Sequence, residues 1–242
     1  MKAVLMAAGV GSRISRTIDR PKSTLDVGGV PLIRRTVEML LGRGFDVAIV
    51  LGYEKDYIMD VLEGCDVTFF ENPFYRVTNS MASLWFARDF IGDDDLILAN
   101  ADVYWDEDIL DLILSDEHPA VMLGDESRVE QGDYFFKTVD GFIKAYGKEL
   151  TVDERNTEYV GIARLDGSIT ARFRKNLEEM VSSGEYSLWW ENVLYENISS
   201  QPVFVRDVSE YFWAEIDYID DYERIKGFVS TGDVSWKLNR KE

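Results

Sequence analysis

The segment Ala7-Ala8-Gly9-Val10-Gly11-Ser12-Arg13, followed by Arg16, Arg20, Pro21 and Lys22, concentrates the residue types that hold phosphate groups. Glycines let backbone N–H groups approach an anion closely, and guanidinium and ammonium groups neutralise it. Residues 1–22 carry Lys2, Arg13, Arg16, Arg20 and Lys22 against Asp19, a local charge of +4 in a chain whose formal net charge is -19. That contrast fits a small polyphosphate. Two familiar glycine loops fail on detail. The dinucleotide fingerprint needs a third glycine where Ile14 stands, and the phosphate loop of P-loop proteins needs a glycine where Pro21 precedes Lys22-Ser23. Taken alone, the loop also reads as a surface turn with solvated arginines.

A second group is acidic. Leu96-Ile97-Leu98-Ala99-Asn100-Ala101 runs as a buried strand into Asp102, which places this carboxylate at a strand end. Magnesium takes hard oxygen ligands and keeps phosphates and waters, so two carboxylates converging on a triphosphate would suffice. A third group is aromatic. Ser187-Leu188-Trp189-Trp190-Glu191-Asn192 and Tyr211-Phe212-Trp213 set rings beside acids, a composition that suits a quaternary ammonium held on ring faces. Packing in a core is the competing reading for each ring, and two adjacent tryptophans cannot both face the same way.

The elements that must position these groups alternate. Ala3 to Ala8, Val47 to Leu51, Val67 to Phe70 and Leu96 to Ala99 read as buried strands, while Val30 to Leu41, Lys55 to Leu62 and Ser80 to Phe90 read as helices. Such alternation predicts an α/β fold with a doubly wound, mostly parallel sheet whose ligand crevice lies at the carboxyl ends of the strands. The glycine loop and Asp102 both fall at that edge. From about Ala120 onward short β-like runs predict a mixed or antiparallel extension forming the acceptor half of the site. A nucleotide-binding half over about 1–118, an acceptor half over about 119–217 and a helical segment over 218–242 are expected within a single domain.

Composition narrows the partners. The 242 residues are 46% hydrophobic and 13% aromatic, enough for a full core, and 26 Lys plus Arg face 45 Asp plus Glu. That field repels nucleic acid and anionic membrane surfaces. The one cysteine, Cys65, permits no intrachain disulfide and, with the one histidine, His118, no Cys/His zinc site. His118 lies in a turn-like setting beside Pro119 and is read as a bystander, which disfavours triad chemistry. No signal peptide or membrane span is evident, so a cytoplasmic protein is expected.

A strand followed by Ala7-Ala8-Gly9-Val10-Gly11-Ser12-Arg13 and then Pro21-Lys22 resembles the start of the sugar-phosphate and choline-phosphate nucleotidyltransferases. Within that superfamily Asn72-Pro73-Phe74-Tyr75, Asn79-Ser80-Met81-Ala82-Ser83-Leu84-Trp85 and Glu215-Ile216-Asp217 look most like bacterial phosphocholine cytidylyltransferases and the related aminoethylphosphonate cytidylyltransferases. The resemblance implies that Ala8, Gly9, Gly11, Ser12 and Arg13 cradle a nucleoside triphosphate, with Arg13 and Lys22 at the reaction centre. Tyr53, Asn79 and Ser83 would lie around the base or ribose, although Asn79 and Ser80 are equally good helix N-caps. Asp217 would join Asp102 as a Mg2+ ligand, with Glu215 as an alternative. Lys148 would hold the acceptor phosphate and Glu158 the rest of the acceptor.

The expected activity is Mg2+-dependent transfer from CTP to a phosphorylated amino-alcohol, phosphocholine first, whose cation would meet Glu191 with Trp189 or Trp190. Aminoethylphosphonate, sugar and polyol phosphates are alternative acceptors. A metal-dependent glycosyltransferase would share the strand-end aspartate without needing the basic loop, and a non-catalytic nucleotide-binding module would lack Lys22, Asp102 or Asp217.

Overall fold

The computed structural model describes residues 1–11 and 20–232; Ser12, Arg13 and Arg16 lie outside the described residues. In chain order the strands are β1 (Lys2–Ala7), β2 (Asp26–Val27), β3 (Val30–Pro31), β4 (Asp46–Leu51), β5 (Val67–Glu71), β6 (Leu96–Asn100), β7 (Val103–Tyr104), β8 (Ala120–Asp125), β9 (Phe135–Val139), β10 (Phe142–Gly147), β11 (Thr157–Leu165), β12 (Phe204–Asp207) and β13 (Ala214–Glu215). The helices are α1 (Leu32–Gly42), α2 (Lys55–Val61), α3 (Ser80–Phe86), α4 (Arg88–Ile91), α5 (Glu107–Leu114), α6 (Gly167–Ser182), α7 (Asn192–Tyr195) and α8 (Ile219–Thr231).

The apolar run ahead of Gly9 becomes β1, which lies parallel between β4 and β6, with β5 outside β4. Successive side chains of a strand point to opposite faces. Ala3, Leu5 and Ala7 therefore pack with α1, α2 and α5 on one face, and Val4 and Met6 pack with α3, α4, α6 and α7 on the other. A continuous apolar strand is what two covered faces demand. The main sheet has nine strands in the order β5-β4-β1-β6-β11-β8-β12-β10-β9. β11 runs antiparallel between β6 and β8, β12 lies parallel to β8, and the β9–β10 hairpin closes the far edge. The parallel half with a mixed extension is the expected α/β fold.

Two further pairings matter for the site. The sheet curls so that β9 also pairs with the start of β11, setting Phe135 opposite Glu158. The short β13 pairs with β7, and the Ile216 amide donates to the Asp102 carbonyl at 3.0 Å. A separate apolar cluster of Leu25, Val27, Tyr104, Phe212, Ile216 and Ile225 holds α8 against this region.

Some boundaries differ from those expected. Val30–Pro31 forms a two-residue strand before α1, and the helix expected over Ser80 to Phe90 breaks at Ala87 into α3 and α4. Helices α5 and α6 fall in stretches to which the sequence pattern assigned no element. Each starts at an aspartate, Asp106 and Asp166, whose side chain accepts from the first turn. His118 takes a structural place: its Nδ1 lies 2.6 Å from Asp116 Oδ1, and its ring stacks on Phe204 at 3.8 Å. That clip sits at the start of β8, the edge opposite the glycine loop. Among the described residues no helix is long and apolar enough to cross a membrane.

Candidate active site

Gly9 and Gly11 follow β1 at its carboxyl end, and Gly11 packs against Lys22. Gly11 has φ +62°, and a Cβ there would stand 2.9 Å from Lys22 Cγ, so both backbone conformation and space require glycine at this position. Lys22 opens a single turn after Pro21 and is half-buried, with 10% of its side chain exposed. Its Nζ lies 2.5 Å from Asp217 Oδ1 and 3.6 Å from Asp102 Oδ2. Asp102 arrives from the end of β6 and Asp217 from the end of β13. The β7–β13 pairing brings the two carboxylates to one ammonium.

The electrostatics follow from that packing. Burial works to lower the Lys22 pKa, but the Asp102 charge and the Asp217 hydrogen bond outweigh it and hold the ammonium above its ordinary value. Burial raises the Asp102 carboxyl, with Lys22 opposing and Asp217 adding to the shift. Glu215, the neighbouring carboxyl, is pushed well up by burial and then by Asp102 and Asp217. The donor set suits a hard cation: Asp102 and Asp217 are close enough to share one positive charge. Among the described residues no group of three or more metal-ligating side chains converges, so phosphate oxygens would have to complete a magnesium shell.

Two adjoining cavities meet at this cluster. One, of about 220 Å³, is lined by Ala8, Gly9, Gly11, Ser83 and Asp102; the other, of about 420 Å³, by Asp133, Tyr134, Lys148, Glu158 and Asp217. Gly11, Lys22, Asn79, Asn100, Trp189, Glu191 and Glu215 line both. The loop side and the expected acceptor side therefore share a wall that contains Lys22.

On the loop side Asn79 caps α3, its Oδ1 accepting from the Ser80 amide at 2.8 Å, and still faces both cavities. Ser83 is buried, accepting from Asn72 Nδ2 at 2.9 Å. Tyr53 departs from its expected place. It lines neither cavity; its backbone N–H donates to the Ala8 carbonyl at 3.2 Å, bracing the loop, while its ring lies 6.4 Å from that of Tyr75. Tyr75, within the Asn72-Pro73-Phe74-Tyr75 motif, is the ring that borders the smaller cavity.

On the acceptor side Lys148 and Glu158 border the same cavity, and each carries an ion pair. Lys148 Nζ is 2.6 Å from Asp133 Oδ2, and Arg128 Nε is 2.6 Å from Glu158 Oε2. A register shift at Gly161, with φ +89°, lets β11 pass close to Asn100. The paired tryptophans separate. Trp189 is 40% exposed and faces both cavities, whereas Trp190 is fully buried and borders neither. Trp190 Nε1 donates to Asn100 Oδ1 at 3.1 Å, so this indole is core and its expected cation-binding role is corrected. Glu191 is 6% exposed. Burial pushes its carboxyl up to about 7, opposed in part by the donors around it, its own backbone N–H first. Asp133 and Tyr134, which the sequence reading did not single out, reach the cavity because β9 pairs with β11. Only that non-local pairing distinguishes them from an ordinary strand entry.

Residues 3–189 match the MobA-like NTP transferase domain. The choline-phosphate cytidylyltransferase of Streptococcus pneumoniae is 25% identical over 232 residues, covering 93% of this chain and 97% of that protein. The CMP-5'-(3-aminopropyl)phosphonate synthase of Streptomyces rubellomurinus is also 25% identical, over 237 residues that span 90% of this chain and 37% of that protein. Among solved structures, CTP:phosphocholine cytidylyltransferase from Streptococcus pneumoniae superposes with a TM-score of 0.76 at 22% identity, covering 94% of this chain and 98% of that one. With the match running from the first strand through the glycine loop to Trp189, the chain belongs to the MobA-like NTP transferase family and is a nucleotidyltransferase.

Proposed function

We propose that the protein transfers a cytidylyl group from CTP to a phosphorylated amino-alcohol, phosphocholine first among them, in a Mg2+-dependent reaction that releases pyrophosphate. The observation that carries this reading is the Lys22 ammonium, bracketed by Asp102 and Asp217 on the wall shared by the two cavities. An oxygen of the acceptor phosphate attacks the α-phosphorus in line, and the bond to the β-phosphate breaks with its electron pair leaving on pyrophosphate. Such transfer needs positioning and charge neutralisation rather than a side-chain nucleophile. Lys22 and the glycine-loop amides hold the triphosphate; Ser12 and Arg13 belong to the same cradle in this reading. Asp102 and Asp217 would hold Mg2+, which would supply neutralisation of the phosphate charge. Lys148 draws the acceptor phosphate into the larger cavity, where Glu158, Trp189 and Glu191 surround the remainder.

The relatives named above are a choline-phosphate cytidylyltransferase and a CMP-5'-(3-aminopropyl)phosphonate synthase by name, which favours an amine-bearing acceptor and supports CTP as donor. The test is pyrophosphate release with each of the four NTPs against phosphocholine, phosphoethanolamine, aminoethylphosphonate and hexose 1-phosphates. CTP with an amine-bearing acceptor should be fastest. Faster turnover of a hexose 1-phosphate overturns the acceptor class.

A further inference from the structure

We propose that Asn100 is a further catalytic residue, its side-chain amide donating a hydrogen bond to a non-bridging oxygen of the α-phosphate, and that the buried Trp190 indole aims it. This deepens the proposed function and rests on it. Asn100 closes β6 two residues before Asp102 and lines both cavities. A nucleotide held on the loop side and an acceptor phosphate held in the larger cavity must meet at the wall the cavities share, so a group on that wall stands beside the reacting phosphorus.

The orientation of the amide follows from donor chemistry. An indole N–H can only donate, so the atom 3.1 Å from Trp190 Nε1 is the Asn100 carbonyl oxygen. Trp190 is fully buried and borders neither cavity, and its backbone N–H donates to Ser80 Oγ at 3.0 Å. The oxygen is therefore turned into the core, and the NH2 group is the end presented to the cavities. On that side Gly161 leaves room, since a Cβ there would stand 3.1 Å from Asn100 Nδ2. One amide N–H serves the Glu191 carboxyl, which the Asn100 side chain helps to hold down against burial. The other is the donor assigned to the phosphate oxygen. It transfers no proton, and its hydrogen bond strengthens as negative charge gathers on that oxygen during attack. Lys22 on the same wall supplies charge, and Asn100 supplies direction.

The test is steady-state kinetics with CTP and the amine-bearing acceptor that the wild type turns over fastest. Asn100→Ala should lower kcat about 100-fold while the KM values for CTP and acceptor change less than about 3-fold, the pattern of a contact made in the transition state. The loss should persist in a Glu191→Gln background, which separates it from any effect passed through that carboxyl. Trp190→Phe keeps a ring in the core and removes the indole N–H. It should lower kcat about 3- to 10-fold with Asn100 present and have no effect once Asn100→Ala is in place. Where Asn100→Ala fails to fold, Asn100→Asp keeps the acceptor for Trp190, lacks the donor and carries the same test. A kcat within about 3-fold of wild type without the Asn100 amide, a loss that disappears in Glu191→Gln, or a Trp190→Phe effect equal in both backgrounds overturns the assignment while leaving the proposed function standing. A wild type that releases no pyrophosphate from CTP with any acceptor overturns both.

Discussion

Lys22 and Asp217, 195 residues apart in the chain, form a 2.5 Å ion pair at the junction of the two cavities. Asp102 lies at 3.6 Å on the same ammonium. A cation sits where two candidate magnesium ligands converge, so the lysine balances the acidic pair whenever no divalent ion does.

Lys22→Ala should lower turnover about 30- to 1000-fold, the effect of losing one charged contact that acts on developing charge. It should also destabilise the protein by roughly 1 to 3 kcal/mol in EDTA, because two partly buried carboxylates then face each other uncompensated. Added Mg2+ should restore most of that loss. Melting curves with and without the metal check it; a loss of stability that Mg2+ leaves untouched would count against Asp102 and Asp217 as ligands.

Asp102→Asn and Asp217→Asn should each reduce activity by at least about 100-fold and raise the Mg2+ concentration needed for what remains. Their melting temperatures should fall less than that of Lys22→Ala, since removing one of two like charges relieves repulsion. Activity measured across a Mg2+ titration decides the matter for each residue.

Glu191→Gln should change how stability depends on pH. The carboxyl rises from 4.5 in the unfolded chain to about 7 in the folded one, so the folded state binds the extra proton between those values. Wild-type stability therefore falls as pH rises from 4.5 through 7, by up to about 3 kcal/mol, and the penalty is complete above 7. Glutamine carries no such penalty. Urea unfolding of both proteins at pH 5 and pH 8 should show the variant gaining on wild type at the higher pH.

The adjacent tryptophans should separate cleanly. Trp190→Ala empties a fully buried site and loses the Asn100 hydrogen bond, costing about 3 to 5 kcal/mol. Trp189→Ala should cost under about 1 kcal/mol in stability and raise the acceptor KM with little change in that for CTP. Denaturation and steady-state kinetics on the pair test this; an unchanged acceptor KM in Trp189→Ala would remove the ring from the acceptor site.

Local pattern along the chain carries part of the site's placement. The apolar run into Gly9, the strand ending at Asp102 and the strand–helix alternation place the glycine loop and one carboxylate at the same sheet edge, because parallel strands buried on both faces leave an unmistakable composition. Helix α6 was assigned no element from the pattern, although Ile169, Phe173 and Leu177 stand at helical spacing within it. Tertiary structure decided the rest, since side-chain pairing across long chain separations depends on which strands become neighbours. The pairing of β13 with β7 delivers Asp217 to Lys22, and the curl of β9 onto β11 delivers Asp133 to Lys148. Nothing in Trp189-Trp190 says which indole faces the core. Packing against Asn100 chose Trp190, and left Trp189 beside the cavity with a lysine over its ring.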